Sequence, residues 1–120
     1  MNISEASNKY GVSADALRYW EQIKLLRYVE RDQHGYRVYN ERAQNWIKFI
    51  KCMRNAGMDI NHLVKYVALF NQKDATNENK RDILVEQQQL IINKMNEMET
   101  ALQYLNYKID NYNQIIKKYD

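Results

Sequence analysis

The sequence predicts a mainly α fold in two parts: a small head of four short helices and a β-hairpin, then one long helix with a coiled-coil seam. Three observations predict it. Asn2, Ser13, Asn40 and Asp59 are helix-capping residues, and each stands just ahead of an apolar pattern of helical period. A polar, glycine-bearing run, Glu30 to Gly35, separates two stretches of aliphatic and aromatic residues, Leu25 to Val29 and Tyr36 to Tyr39, which is a hairpin signal. From Lys80 onward apolar residues recur at alternating spacings of four and three, the mark of a helix that packs along another helix.

The elements follow in order. Asn2 with Glu5 three positions later forms a capping-box pattern, and Gly11 suits a left-handed stop, so a first helix is expected over about residues 3–9. The turn Tyr10-Gly11-Val12 leads to Ser13, whose helix should reach about Gln22, with Val12 and Leu17 as its hydrophobic staple. These two form a helix-turn-helix, and the hairpin is its wing. Asn40 caps a third helix running to Ala56, apolar along Ala43, Trp46, Ile47, Ile50 and Met53, with Gly57 as its stop. Asp59 caps a fourth, where Met58 and Leu63 staple the start and Leu63, Val64, Val67, Leu69 and Phe70 form a buried face ending near Asn71.

The chain therefore divides into a winged helix-turn-helix head over residues 1–71, a polar linker or hinge over 72–79, and a coiled-coil helix over 80–120. In that helix Leu84, Ile91, Met98, Leu105 and Tyr112 lie seven apart, with Met95, Leu102, Ile109 and Ile116 interleaved. About 38 helical residues span roughly 57 Å, far more than a small head can cover. Burying about nine apolar side chains gives on the order of 15–25 kcal/mol before association costs. A homodimer through this helix is the simplest way to cover the seam.

The 120 residues suffice for one small domain and an appendage. The net charge of +3 is unevenly spread: residues 1–70 hold 11 basic against 7 acidic side chains, residues 71–120 hold 7 against 8. A basic head suits a partner that carries phosphates. The single cysteine excludes an internal disulfide and, with two scattered histidines, His34 and His62, leaves no zinc-ligand spacing, so neither metal nor cofactor is expected. Signal and membrane-span patterns are absent, which predicts a cytoplasmic protein. Paired acids, a nucleophile with its base, and a phosphate-cradling glycine loop are also missing, which argues against an enzyme.

The second helix opens on Ser13, Ala14 and Asp15, with Arg18 and Tyr19 one turn later. Helices that enter a major groove present such N-terminal residues to base edges, while arginine and tyrosine hold phosphates. Val12-Ser13, Leu17-Arg18-Tyr19-Trp20-Glu21 and Gly35-Tyr36-Arg37-Val38-Tyr39, with Phe49-Ile50 and Gly57-Met58, resemble the pattern of the MerR family of bacterial transcription regulators over residues 2–119. The resemblance implies an antiparallel coiled-coil dimer that places two heads on a pseudo-palindrome in double-stranded promoter DNA. It then bends and untwists an overlong spacer so that RNA polymerase can use both promoter elements. It also implies DNA contacts by Arg18 and Tyr19, by Tyr36 and Arg37 from the wing, and by Arg31 and Arg54. Trp20 is read as core, and Arg54 has the alternative role of capping carbonyls at a helix end. Asp15 can accept from a cytosine amino group or simply steady the helix dipole, and both readings stand.

The family's metal sensors carry cysteines near the start of the long helix and after its end; Asn77-Glu78-Asn79 and Lys117-Lys118-Tyr119-Asp120 offer none. With the sequence ending at Asp120, no effector-binding domain of the large-ligand type is expected. Cys52 remains, with Lys48 four residues before it and Arg54 two after. Nearby cations stabilise a thiolate, and an adduct or oxidised sulfur there would alter helix packing. The chain resembles the lone-cysteine branch of the family, linked to aldehyde, carbonyl-electrophile and nitrosative stress. Two alternatives stand beside this: a constitutive architectural repressor with an inert Cys52, and a coiled-coil adaptor whose head docks a protein.

Overall fold

The computed structural model describes residues 1–112 and 114. Its elements are α1 (Ile3–Tyr10), α2 (Ala14–Gln22), β1 (Glu30–Arg31), β2 (Arg37–Val38), α3 (Glu41–Asn55), α4 (Ile60–Phe70) and α5 (Asn77–Asp110). Two compact units result, Met1–Thr76 and Asn77–Asp120.

Capping sets the short helices. The Asn2 carboxamide accepts from the Glu5 amide at 2.8 Å while the Glu5 carboxylate accepts from the Asn2 amide at 3.0 Å, so both members of the capping box are made. Gly11 ends α1 at φ 63°, a conformation open to glycine, with its amide donating to the Ser7 carbonyl. Ser13 Oγ accepts from the Ala16 amide at 3.0 Å to start α2, and the Asn40 side chain accepts from the Ala43 amide at 2.8 Å to start α3. Asp59 occupies the N-cap of α4 but makes no side-chain cap bond, so the expected cap is positional only.

The head's core comprises Ala6, Val12, Leu17, Trp20, Leu25, Leu26, Tyr39, Ala43, Ile47, Ile50, Leu63, Tyr66 and Val67. Helix α1 packs on α2 and α3. Gln44 of α3 joins them by polar contacts: it accepts from the Tyr10 hydroxyl at 3.0 Å and Lys9 Nζ at 3.3 Å, and donates to the Tyr39 carbonyl at 2.9 Å. Trp46, Phe49, Tyr66 and Phe70 meet edge-on or tilted between α3 and α4, at centroid distances from 5.2 to 6.0 Å.

Three expectations change. The wing's first strand is Glu30–Arg31, paired with Val38 and Arg37, rather than Leu25 to Val29. Leu25 and Leu26 instead turn inward, their amides donating to the Trp20 carbonyl, in a loop that takes positive φ at Lys24 and Tyr28. On α4 the buried face passes through Tyr66, and Leu69 is exposed. Helix α5 starts at Asn77, so residues 77–79 are helical rather than linker. Ile116 and the helix end expected near Tyr119 lie outside the described residues.

Candidate nucleic-acid interface

The wing is held by its own turn. Asp32 Oδ1 accepts from the amides of His34 at 2.9 Å and Tyr36 at 3.0 Å, and Gly35 adopts φ 82° with open space around it. The turn leaves Tyr36 70% exposed. At the strand's far end the Tyr39 amide donates to the Met1 carbonyl at 2.7 Å, which ties the chain's start to the wing's root.

A cleft of about 450 Å³ opens between these parts, lined by Met1 to Ile3, Arg18, Arg31, Asp32 and Gly35 to Val38. It gathers three of the predicted cations, Arg18 from α2 and Arg31 and Arg37 from the wing, with Tyr36 at its rim. Arg18 makes an exposed ion pair with Asp15 at 3.1 Å, one turn apart on α2. Such a pair is worth well under about 1 kcal/mol, so a phosphate can compete for the guanidinium. Ser13 at the cap of α2 and Ala14, Asp15 and Tyr19 on it stand outside the cleft lining, with Tyr19 half exposed.

Arg54 is placed elsewhere. It does not line the cleft, and its Nη1 donates at 2.9 Å to the carbonyl of Met58, in the loop between α3 and α4 rather than at the end of α3. Trp20 is buried, as expected of core. Cys52 is exposed on α3, whose buried residues are Ala43, Ile47 and Ile50. A reagent can reach the thiol without opening the head's core.

Glu21 is the residue of this site that the sequence did not single out. Its Oε2 accepts from Arg37 Nε at 2.8 Å and its Oε1 from Arg31 Nη2 at 3.3 Å. An acid one turn beyond Arg18 on the same helix was the available signal. Among the described residues no group of three or more His, Cys, Asp or Glu side chains could hold a metal, and no helix is long and apolar enough to cross a membrane.

A two-helix turn, a two-stranded wing, a basic cleft between them and a long helix after them define a winged helix-turn-helix regulator. The chain belongs to the MerR helix-turn-helix family of regulatory proteins, whose family model matches residues 1–69, and members of that family are DNA-binding transcriptional regulators rather than enzymes. Among its relatives is the HTH-type transcriptional regulator AdhR of Bacillus subtilis (strain 168). It is 42% identical over 92 residues, covering 77% of this chain and 66% of AdhR, so the chain spans just under two thirds of that relative. A crystal structure of a Listeria monocytogenes protein assigned to the MerR regulators superposes with a TM-score of 0.86 at 39% identity, covering 98% of this chain and 89% of that one. HiNmlR, a MerR family regulator lacking the sensor domain and bound to promoter DNA, superposes with a TM-score of 0.82 at 26% identity, covering 94% and 90%.

Proposed function

We propose that this protein is a homodimeric regulator that grips a pseudo-palindromic promoter spacer, distorts it to control RNA polymerase, and responds to thiol-reactive electrophiles such as aldehydes through Cys52. The observation that carries the DNA-binding part is the cleft where Arg18, Arg31 and Arg37 converge beside the exposed Tyr36. Guanidiniums gathered in one cleft can neutralise backbone phosphates and hold the head in register, and Ser13 at the cap of α2 with Ala14, Asp15 and Tyr19 on it are the candidates for base edges or nearby phosphates. HiNmlR bound to promoter DNA supports the same use here.

The dimer reading rests on α5. Its seam residues Leu84, Met95, Met98, Leu102, Leu105 and Ile109 are exposed in the single chain, Met98 by 71%, as is Tyr112 past its end, and Ile91 is partly exposed. A second copy of the helix supplies the apolar surface they lack. Two linked heads then bend the spacer at a cost of about 1–6 kcal/mol, a range that a few kilocalories of coupling to a modified Cys52 can tip.

Purified transcription from a promoter of the protein's own operon tests the sensor. Wild type should respond to a small aldehyde or a thiol oxidant, and Cys52→Ser should bind the promoter but not respond. Equal responses from the two proteins would remove Cys52 from the mechanism.

A further inference from the structure

We infer that Glu21 is a positioning residue for DNA binding, holding Arg37 as the wing's phosphate hand and Arg31 as its brace. The inference rests on the proposed DNA-binding function and assigns different work to three residues of that site.

The bonds divide the labour. Arg37 spends only its Nε on Glu21 Oε2, at 2.8 Å, and neither of its terminal nitrogens has a partner among the described residues. Those two nitrogens remain for a phosphate, in the fork geometry that arginine offers and lysine does not. Arg31 spends both its terminal nitrogens inside the protein, Nη2 on Glu21 Oε1 at 3.3 Å and Nη1 on the Gly35 carbonyl at 3.4 Å. It therefore spans from α2 to the wing tip and steadies the hairpin. A two-stranded hairpin with two residues per strand has little rigidity of its own. Glu21 and Arg37 side chains are only 23% and 25% exposed, so the pair is shielded from solvent more than the Asp15–Arg18 pair, whose carboxylate is 97% exposed.

Simple electrostatics predicts the opposite sign. An acid beside a phosphate-binding cleft repels the DNA backbone, so neutralising it should tighten binding to any duplex. A positioning role predicts that neutralising it weakens binding to the preferred site, because Arg37 is no longer aimed and the wing is no longer braced.

The test uses a fluorescent duplex selected by the wild-type full chain from a random-sequence pool and an unrelated duplex of equal length, titrated by anisotropy over a range of salt. Wild type, Glu21→Gln, Arg37→Ala and the double variant are compared, with circular dichroism fixing the folded fraction. Glu21→Gln should weaken binding to the selected duplex about tenfold and flatten the log K against log salt slope by about one, the signature of one lost phosphate contact. Binding to the unrelated duplex should weaken as well, because a phosphate contact carries no sequence information. Added to Arg37→Ala, Glu21→Gln should cost little more, since the two act through one contact. A loss of fold alone would lower melting temperature and leave the salt slope of the folded protein unchanged. Tighter or unaltered binding by Glu21→Gln, or full additivity with Arg37→Ala, overturns the inference. Should Glu21→Gln not fold, Arg37→Lys decides it: a lysine cannot both pair with Glu21 and fork a phosphate, so about a tenfold loss is expected and wild-type affinity overturns the inference. If wild type binds neither duplex in a salt-dependent way, the DNA-binding reading itself falls, and this inference with it.

Discussion

Tyr39 is wholly buried, yet its hydroxyl has no hydrogen-bond partner among the described residues. Burial raises its pKa above 10.0, and burial does the same to Tyr66; at Tyr39 the charges of Arg37, Glu21, Arg18 and Arg31 act as well. A raised folded-state pKa means the folded chain keeps a proton that the unfolded chain gives up above pH 10. This stabilisation is complete below the unfolded value and is lost as pH rises through the folded one. Urea midpoints should therefore fall as pH climbs beyond 10, and Tyr39→Phe should flatten that fall. At neutral pH the same variant should unfold at an equal or higher midpoint, by up to about 1 kcal/mol, since it removes an unsatisfied polar group. A marked loss would mean that the hydroxyl is bonded in solution. At this scale Arg18, Arg31 and Arg37 were legible through the motifs that carry the family resemblance, and the structure gathers them in one cleft. Glu21 was not, because its role comes from two partners 10 and 16 residues away. Asp32 was equally hidden, since its part is to accept two amides of a turn whose geometry the sequence only outlines.

Helix boundaries were the best-read elements, because caps are local chemistry. Asn2, Gly11, Ser13 and Asn40 each do in space what their side chains or lack of one prescribe. Gly11→Ala should cost about 1 kcal/mol, as alanine at φ 63° is strained, while the atom its Cβ would meet is the movable Nζ of Lys51. The strand ahead of the wing was misread because Leu25 to Val29 has the composition of a strand without its pairing. Long-range contacts decide that segment: Tyr28, at φ 69°, carries the Arg42 guanidinium 3.6 Å above its ring, and its hydroxyl donates to Asn71 Oδ1. Asn71 in turn donates to the Val67 carbonyl at 2.8 Å at the end of α4. Tyr28→Ala should cost about 2 kcal/mol by losing both contacts, and Tyr28→Phe about 1 kcal/mol by losing the hydroxyl alone. Equal melting of the two variants would show that the hydroxyl contributes nothing.

For the molecule as a whole, the sequence's seven-residue repeat anticipated a long helix, and α5 supplies 34 residues of it. The repeat did not reveal that Leu90, Ile92, Tyr104 and Tyr107, off the seam, are exposed as well, so the apolar surface is wider than one stripe. If that surface pairs two chains, Leu102→Lys places a charge on the seam and should turn the dimer into a monomer in sedimentation, with the head's circular dichroism largely kept. The central claim is that two heads with basic clefts, joined through α5, hold one duplex by its phosphates. Its most direct test is to titrate the chain into a selected duplex at several salt concentrations, following affinity and stoichiometry together, with Arg18→Ala alongside. The account predicts two chains per duplex, affinity that falls steeply with salt, and a shallower slope for the variant. One chain per duplex, or affinity indifferent to salt and to Arg18, would contradict it.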